Sequence, residues 1–152
     1  LSQINYFLSL HRHQNCYIFN SRRTPDSMNK KLEAFQAKNK NTTFCDFRNQ
    51  DNSYEEILHK SSSRLITRDS INMIYESLSC KGNSYLIDMK NKKNNNKVVS
   101  AVNKLISNKK IGYVDCGEVV KGMSKMQLNK QNIYNEVYAE VEKVAYELNK
   151  LL

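Results

Sequence analysis

Arg22 and Arg23 stand between a short apolar run, Cys16-Tyr-Ile-Phe19, and a stretch that reads as a helix start, Thr24-Pro25-Asp26. The run is β-favouring and long enough for a buried strand. It gives way to Asn20 and Ser21, after which Thr24 fits an N-cap, Pro25 the first helical position and Asp26 the positive end of a helix dipole. Met28, Leu32 and Phe35 follow at helical spacing. Two guanidinium groups beside the free N–H groups of a helix start have the chemistry of an anion site. The plainer alternative is an ordinary strand-to-helix connection whose arginines are solvated.

Other reactive residue types are present without a decisive pattern. His11-x-His13 with Cys16 carries metal-capable side chains, but H-x-H gathers both rings only on a strand, and no Cys/His pair follows at zinc spacing. Asp88-Met-Lys90, with Asp46 near the end of another β-rich run, echoes a metal-dependent nuclease, which needs two carboxylates and a lysine converging on one metal. Nothing in the spacing brings Asp46 to Asp88. No Ser/His/Asp or Cys/His spacing marks a nucleophile, and neither G-x-x-x-x-G-K-[ST] nor G-x-G-x-x-G occurs, so the chain has no phosphate loop of known type. The sequence implies no metal and no cofactor.

Composition sets the partners. The chain has 152 residues, one domain's worth, with a formal net charge of +9 and a pI of about 9.4. Polyanions are the natural partners, nucleic acid first and an anionic membrane surface second. Eighteen lysines and twenty asparagines against six arginines temper this, because Arg is the better phosphate reader. Cys16, Cys45, Cys80 and Cys116 are widely spaced with no C-x-x-C, which favours free thiols in a reducing, intracellular compartment. No secretory signal is apparent, and no apolar run approaches the roughly 20 residues of a membrane span. The first residue is Leu, and Ile4, Phe7, Leu8 and Leu10 already form a helix face, as in a processed product or a fragment.

The elements that would position these residues alternate. A helix over 2–10 leads to the strand at Cys16–Phe19, then a helix over Pro25–Lys38 and a strand over Thr42–Phe47. Ser53 caps a short helix that the serines at 61–63 break, and Thr67–Ser79 reads as the next helix, with Ile71, Ile74, Tyr75 and Leu78 on one face. Ser84–Met89 is a third strand, the cationic run Lys90–Lys97 a loop, Val98–Ile106 a helix face and Ile111–Asp115 a fourth strand. The expected fold is α/β, with about four mainly parallel strands alternating with helices. Ligands on such sheets bind beyond the strand C-terminal ends, where Arg22/Arg23, Arg48, Asp88/Lys90 and Asp115 would lie.

Residues 1–128 form the expected basic α/β domain and 129–152 a C-terminal amphipathic helix. Tyr134, Val137, Val141, Val144, Leu148 and Leu151 make a heptad seam, widened by Tyr138, Ala145 and Leu152. This tail carries three lysines against four glutamates, so the positive excess lies elsewhere. The seam is expected to pack on the same domain or on a protein partner.

Residues 9–97 resemble the second half of the genome-packaging ATPases of large DNA viruses and virus-like transposons. The likeness rests on Arg12-His13-Gln14-Asn15 before the first strand, with Asn20-Ser21 at a sensor position. It continues with Phe44-Cys-Asp-Phe-Arg-Asn-Gln-Asp51 as a strand with a polar turn, and Tyr85-Leu-Ile-Asp88 as an aromatic strand ending in Asp. Both nucleotide-binding motifs are absent, and Ser21-Arg22-Arg23 stands where a glutamine-containing turn is usual. The resemblance therefore implies a fragment, partner subunit or degenerate relative that does not hydrolyse ATP alone.

The leading expectation is a non-enzymatic module that contacts nucleic acid, or sits in a nucleoprotein assembly. Its anion contacts would come from Arg22, Arg23, Thr24, Arg48 and the loop lysines Lys90, Lys92, Lys93 and Lys97. The alternatives are a structural subunit docking through its C-terminal helix, the packaging-ATPase relative, and a metal-dependent nuclease.

Overall fold

The computed structural model describes residues 1–49, 53–87, 97–117, 119–120, 123–124, 126–132 and 136–151, with the backbone alone at 119–120, 123–124 and 136–142. In chain order the elements are α1 (Ser2–Leu10), β1 (Cys16–Phe19), α2 (Asp26–Lys38), β2 (Thr42–Cys45), α3 (Tyr54–Lys60), β3 (Ser63–Thr67), α4 (Ile71–Leu78), β4 (Asn83–Ile87), α5 (Lys97–Ser107), β5 (Gly112–Asp115), β6 (Val119–Val120), β7 (Met123–Ser124), β8 (Gln127–Asn129) and α6 (Glu136–Asn149). They form two compact units, a smaller one of Leu8–Lys60 and a larger one of Leu1–Phe7 with Ser61–Leu152. The α/β alternation expected from the sequence is present, with largely parallel strands and a helix at the C-terminus.

In the smaller unit β1 and β2 pair in parallel, Cys16 beside Thr42 and Phe19 beside Cys45. Parallel neighbours need a crossover, and α2 supplies it. Its inward positions are Asn29, Leu32 and Phe35. Met28, expected on that apolar face, is exposed, and the polar Asn29 points inward in its place. At the C-terminal end of α2 the Asn39 side chain donates to the Phe35 carbonyl (2.8 Å), satisfying one of the orphan acceptors. In α3 Glu55 and Glu56 lie in the first turn and His59 and Lys60 in the last, a charge order that suits the helix dipole. Its first residue, Tyr54, meets Phe19 edge-on at 5.3 Å.

The larger unit holds the apolar core. Its sheet runs β3-β4-β5-β8, the first three strands parallel and β8 antiparallel at the edge. Ser84, Tyr85 and Leu86 are buried in succession, as in a strand covered on both faces. Ile66, Ile74, Leu78, Leu86, Val102, Leu105 and Ile111 form one cluster, each fully buried aliphatic chain contributing about 1.5–3 kcal/mol. Phe7 of α1 packs edge-on against Tyr85 at 5.5 Å.

Strand β3 corrects the sequence reading, which has a break at 61–63 and a helix from Thr67. Thr67 instead ends β3, and α4 begins at Ile71. Leu65 and Ile66 alone are too short an apolar run to signal a strand, and Arg64 beside them argues against burial by type. Yet Arg64 is only 6% exposed. Its guanidinium donates to the Ser77 hydroxyl and to the carbonyls of Ser61, Cys80 and Lys81 (3.2, 2.8, 3.1 and 2.6 Å). Two of those carbonyls follow the C-terminal end of α4, where the helix dipole favours a cation, so backbone acceptors help to compensate the buried charge. Gly82 closes the same corner at φ +103°, and a Cβ there would sit 2.6 Å from the Ser62 carbonyl oxygen.

A candidate anion-binding turn

The turn between β1 and α2 is built by short polar side chains. The Ser21 amide donates to Thr24 Oγ1 (3.0 Å), the Thr24 amide to the Ser21 carbonyl (2.9 Å) and the Arg23 amide to Ser21 Oγ (3.3 Å). Thr24 therefore folds back on the turn and does not cap the helix. Pro25 takes the N-cap position in extended conformation, and no side chain caps α2. The Pro25 carbonyl accepts from Met28 and Asn29 (2.8 and 3.1 Å). The sequence reading had the cap one residue early: the Thr24 hydroxyl finds the Ser21 amide first.

Asn20 fixes this turn to the end of the neighbouring strand. Its Nδ2 donates to Asn29 Oδ1 (3.0 Å) and Asp46 Oδ1 (3.2 Å), and its Oδ1 accepts the Phe47 amide (2.7 Å). One side chain thus joins the C-terminal ends of β1 and β2 to the inner face of α2. Asn29 and Asp46 were not expected in such a network. The signal available was Asn29 itself, a polar residue three before Leu32 and six before Phe35 on a core-facing stripe.

Arg48 is already occupied. Its Nε donates to both Asp46 oxygens (3.0 and 2.9 Å), its amide to Oδ1 (3.0 Å), and its Nη2 also pairs with that carboxylate. These hydrogen bonds to Arg48 hold the Asp46 carboxyl well below the usual carboxylate range. Nη1 lies 3.9 Å from Asp26. Arg22 and Arg23 differ: both are exposed, and among the described residues neither guanidinium makes a hydrogen bond or an ion pair. With Arg48 matched by Asp46, and Asp26 offsetting one cation, the turn keeps one uncompensated positive charge beside the uncapped N-terminus of α2.

The remaining expected residues lie apart from this turn. Lys97 opens α5 and is exposed, while Asp88, Lys90, Lys92 and Lys93 fall outside the described residues. Asp115 ends β5 and accepts the Gly117 amide (2.9 Å). Of the seam residues, Tyr134 and the side chains of Val137 and Val141 fall outside the described residues, and Val144, Leu148 and Leu151 are exposed. Among the described residues no three His, Cys, Asp or Glu side chains gather as a metal site would need, and no helix is long and apolar enough to cross a membrane.

A family profile described as Mitochondrial fission ELM1 matches residues 2–151, nearly the whole chain. The chain belongs to the mitochondrial fission ELM1 family. Comparison with curated proteins and with solved structures gives no match. The family assignment overturns the resemblance to packaging ATPases. What carried that likeness, strands ending in polar turns and followed by helices, is common to parallel α/β units generally. It lacked the two nucleotide-binding motifs that would have made it specific.

Proposed function

We propose that the chain takes part in mitochondrial division and that its molecular role is to hold a phosphate-bearing ligand at the turn Asn20–Asp26. The family description supports the cellular half of this reading. The observation that carries the molecular half is the pair of unpaired, exposed guanidinium groups beside a helix N-terminus that no side chain caps. Ligands of open parallel sheets bind outside the strand carboxyl ends, which is where this turn lies. Phosphate is the anion that matches several N–H donors and two arginines at once. The four free cysteines suit a reducing compartment inside the cell.

Phosphate chemistry can be offered by a nucleotide-like small ligand or by a nucleic-acid backbone, and one titration separates them. Inorganic tripolyphosphate, a generic duplex and a generic RNA are each titrated at two salt concentrations, into the wild type and into the Arg22→Ala/Arg23→Ala double variant. The reading expects binding that falls with salt and at least a tenfold loss in the double variant. A polymer ligand would lose up to about two units of salt slope with it. Equal affinity of wild type and variant for all three probes would sink the proposal.

A further inference from the structure

We propose that the edge of the larger unit's sheet, where β3, β4 and β5 begin and β8 ends, is a docking surface for a membrane rich in anionic lipid. Five lysines gather at this edge. Lys81 lies between α4 and β4, Lys104 in the last turn of α5, Lys109 and Lys110 between α5 and β5, and Lys130 just past β8. Lys110 is half-buried and the other four are exposed. Because β8 is antiparallel to β5, with Asn129 beside Tyr113, its end returns to the same edge. Backbone hydrogen bonds tie the segments together. The Asn83 amide donates to the Ser62 carbonyl (2.9 Å), the Ser84 amide to Gln131 Oε1 (2.8 Å) and the Asn132 amide to the Lys109 carbonyl (2.8 Å). Strands β4, β5 and β8 together span about 10 Å, close to the screening length in physiological salt, so these charges act on a facing surface together.

Helix ends do not account for this charge. Helices that cross between parallel strands bring their C-terminal ends to this edge, and each end carries about half a negative charge. Buried Arg64 already serves the end of α4 through the Cys80 and Lys81 carbonyls. Glu76 is the one acidic residue in segments 61–64, 76–84, 104–112 and 129–132. Six cations therefore meet about two negative charges, and an excess of roughly four remains. Lys109 is a second, independent observation. Its φ is 53°, and among the described residues no other non-glycine residue has a positive φ. Its amide donates to the Ile106 carbonyl and the Lys110 amide to the Leu105 carbonyl (both 2.9 Å), a helix ending at which glycine is the ordinary residue. A lysine stands where the backbone favours glycine.

The kind of cation selects the partner. Binding of nucleic acid draws on arginine forks and aromatic platforms, and the turns 79–82, 107–111 and 130–132 contain neither arginine nor an aromatic residue. Lysines are hydrated point charges suited to the diffuse field of anionic headgroups.

Co-sedimentation of the full chain with phosphatidylcholine vesicles, with and without about 30% phosphatidylserine, tests the proposal. The expected result is binding to the anionic vesicles alone, weakening as salt is added. Lys109→Gly should bind them about fivefold more weakly, yet unfold at or above the wild-type temperature, because glycine suits the left-handed position. Lys81→Gln/Lys109→Gly/Lys130→Gln should lose on the order of 100-fold. Lys30→Gln/Lys31→Gln/Lys38→Gln removes as much charge from exposed positions of α2 in the smaller unit, and should stay within about twofold of the wild type. No binding to anionic vesicles, or equal weakening by the two triple variants, would overturn the proposal. So would a generic duplex that binds through the same lysines and displaces the protein from the vesicles.

Discussion

Replacing Arg64 by Ala removes a side chain that ties the end of α4 to β3 in the larger unit. Its guanidinium serves the carbonyls of Ser61, Cys80 and Lys81, and the Ser77 hydroxyl. After truncation the two hydroxyls still have each other, Ser77 Oγ and Ser84 Oγ being 2.7 Å apart, so the loss falls on the three carbonyls. At about 1 kcal/mol for each deprived acceptor, the cost is about 3 kcal/mol. The space left by the buried stem adds about 1 kcal/mol. A total near 4 kcal/mol corresponds to a fall in melting temperature of roughly 15 °C or more in a unit of this size. Thermal unfolding followed by circular dichroism, with urea titration for the free energy, measures it directly. Arg64→Lys should recover less than half of the loss, because one ammonium cannot reproduce a planar fork that reaches three carbonyls. If Arg64→Ala lies within about 1 kcal/mol of the wild type, solvent replaces the guanidinium freely and the compensation described for β3 is wrong.

Gly112→Ala should destabilise the larger unit by more than about 1 kcal/mol, because an added Cβ would stand 2.5 Å from both the Asn129 carbonyl oxygen and the Tyr85 ring; urea titration at one temperature reads it. Asp46→Asn tests the network at the strand ends by its pH dependence. The folded-state pKa of Asp46 is depressed by Arg48, so its contribution is present above about pH 4 and is lost as pH falls below that value toward the folded pKa. The stability gap between wild type and Asp46→Asn should therefore be visible at pH 7 and shrink steadily in acid, and added salt should reduce it. A gap that widens in acid would contradict the pairing.

How much of the fold is legible in the sequence depends on where polar residues are buried. Ser2–Leu10, Cys16–Phe19, Asp26–Lys38 and Gly112–Asp115 follow their apolar patterns and are found within a residue or so of where periodicity puts them. Strand β3 is not legible, because a buried arginine held by backbone carbonyls reads as a surface residue. Strand β8 (Gln127–Asn129) pairs as an antiparallel edge with one apolar residue among its three, too little for any pattern. At the candidate site Arg22 and Arg23 can be picked out by type and position. The Asn20–Asn29–Asp46 network cannot, since it joins residues up to 26 apart through the strand pairing. Nor can the capture of Arg48 by Asp46, which shares its residue types with any surface turn. The same limit explains the false likeness to the packaging ATPases, since an alternation of strands and helices, read with β3 missing, carries no family information.

The central claim is that Arg22 and Arg23 at the start of α2 hold phosphate. Calorimetric titration of tripolyphosphate into the wild type and into Arg22→Ala/Arg23→Ala, at low salt and pH 7, tests it most directly. The account predicts saturable binding to the wild type, at least a tenfold weaker association in the double variant, and melting temperatures for the two free proteins that agree within about 2 °C, because exposed arginines contribute little to folding. Equal binding by both proteins, or none by either, would contradict it.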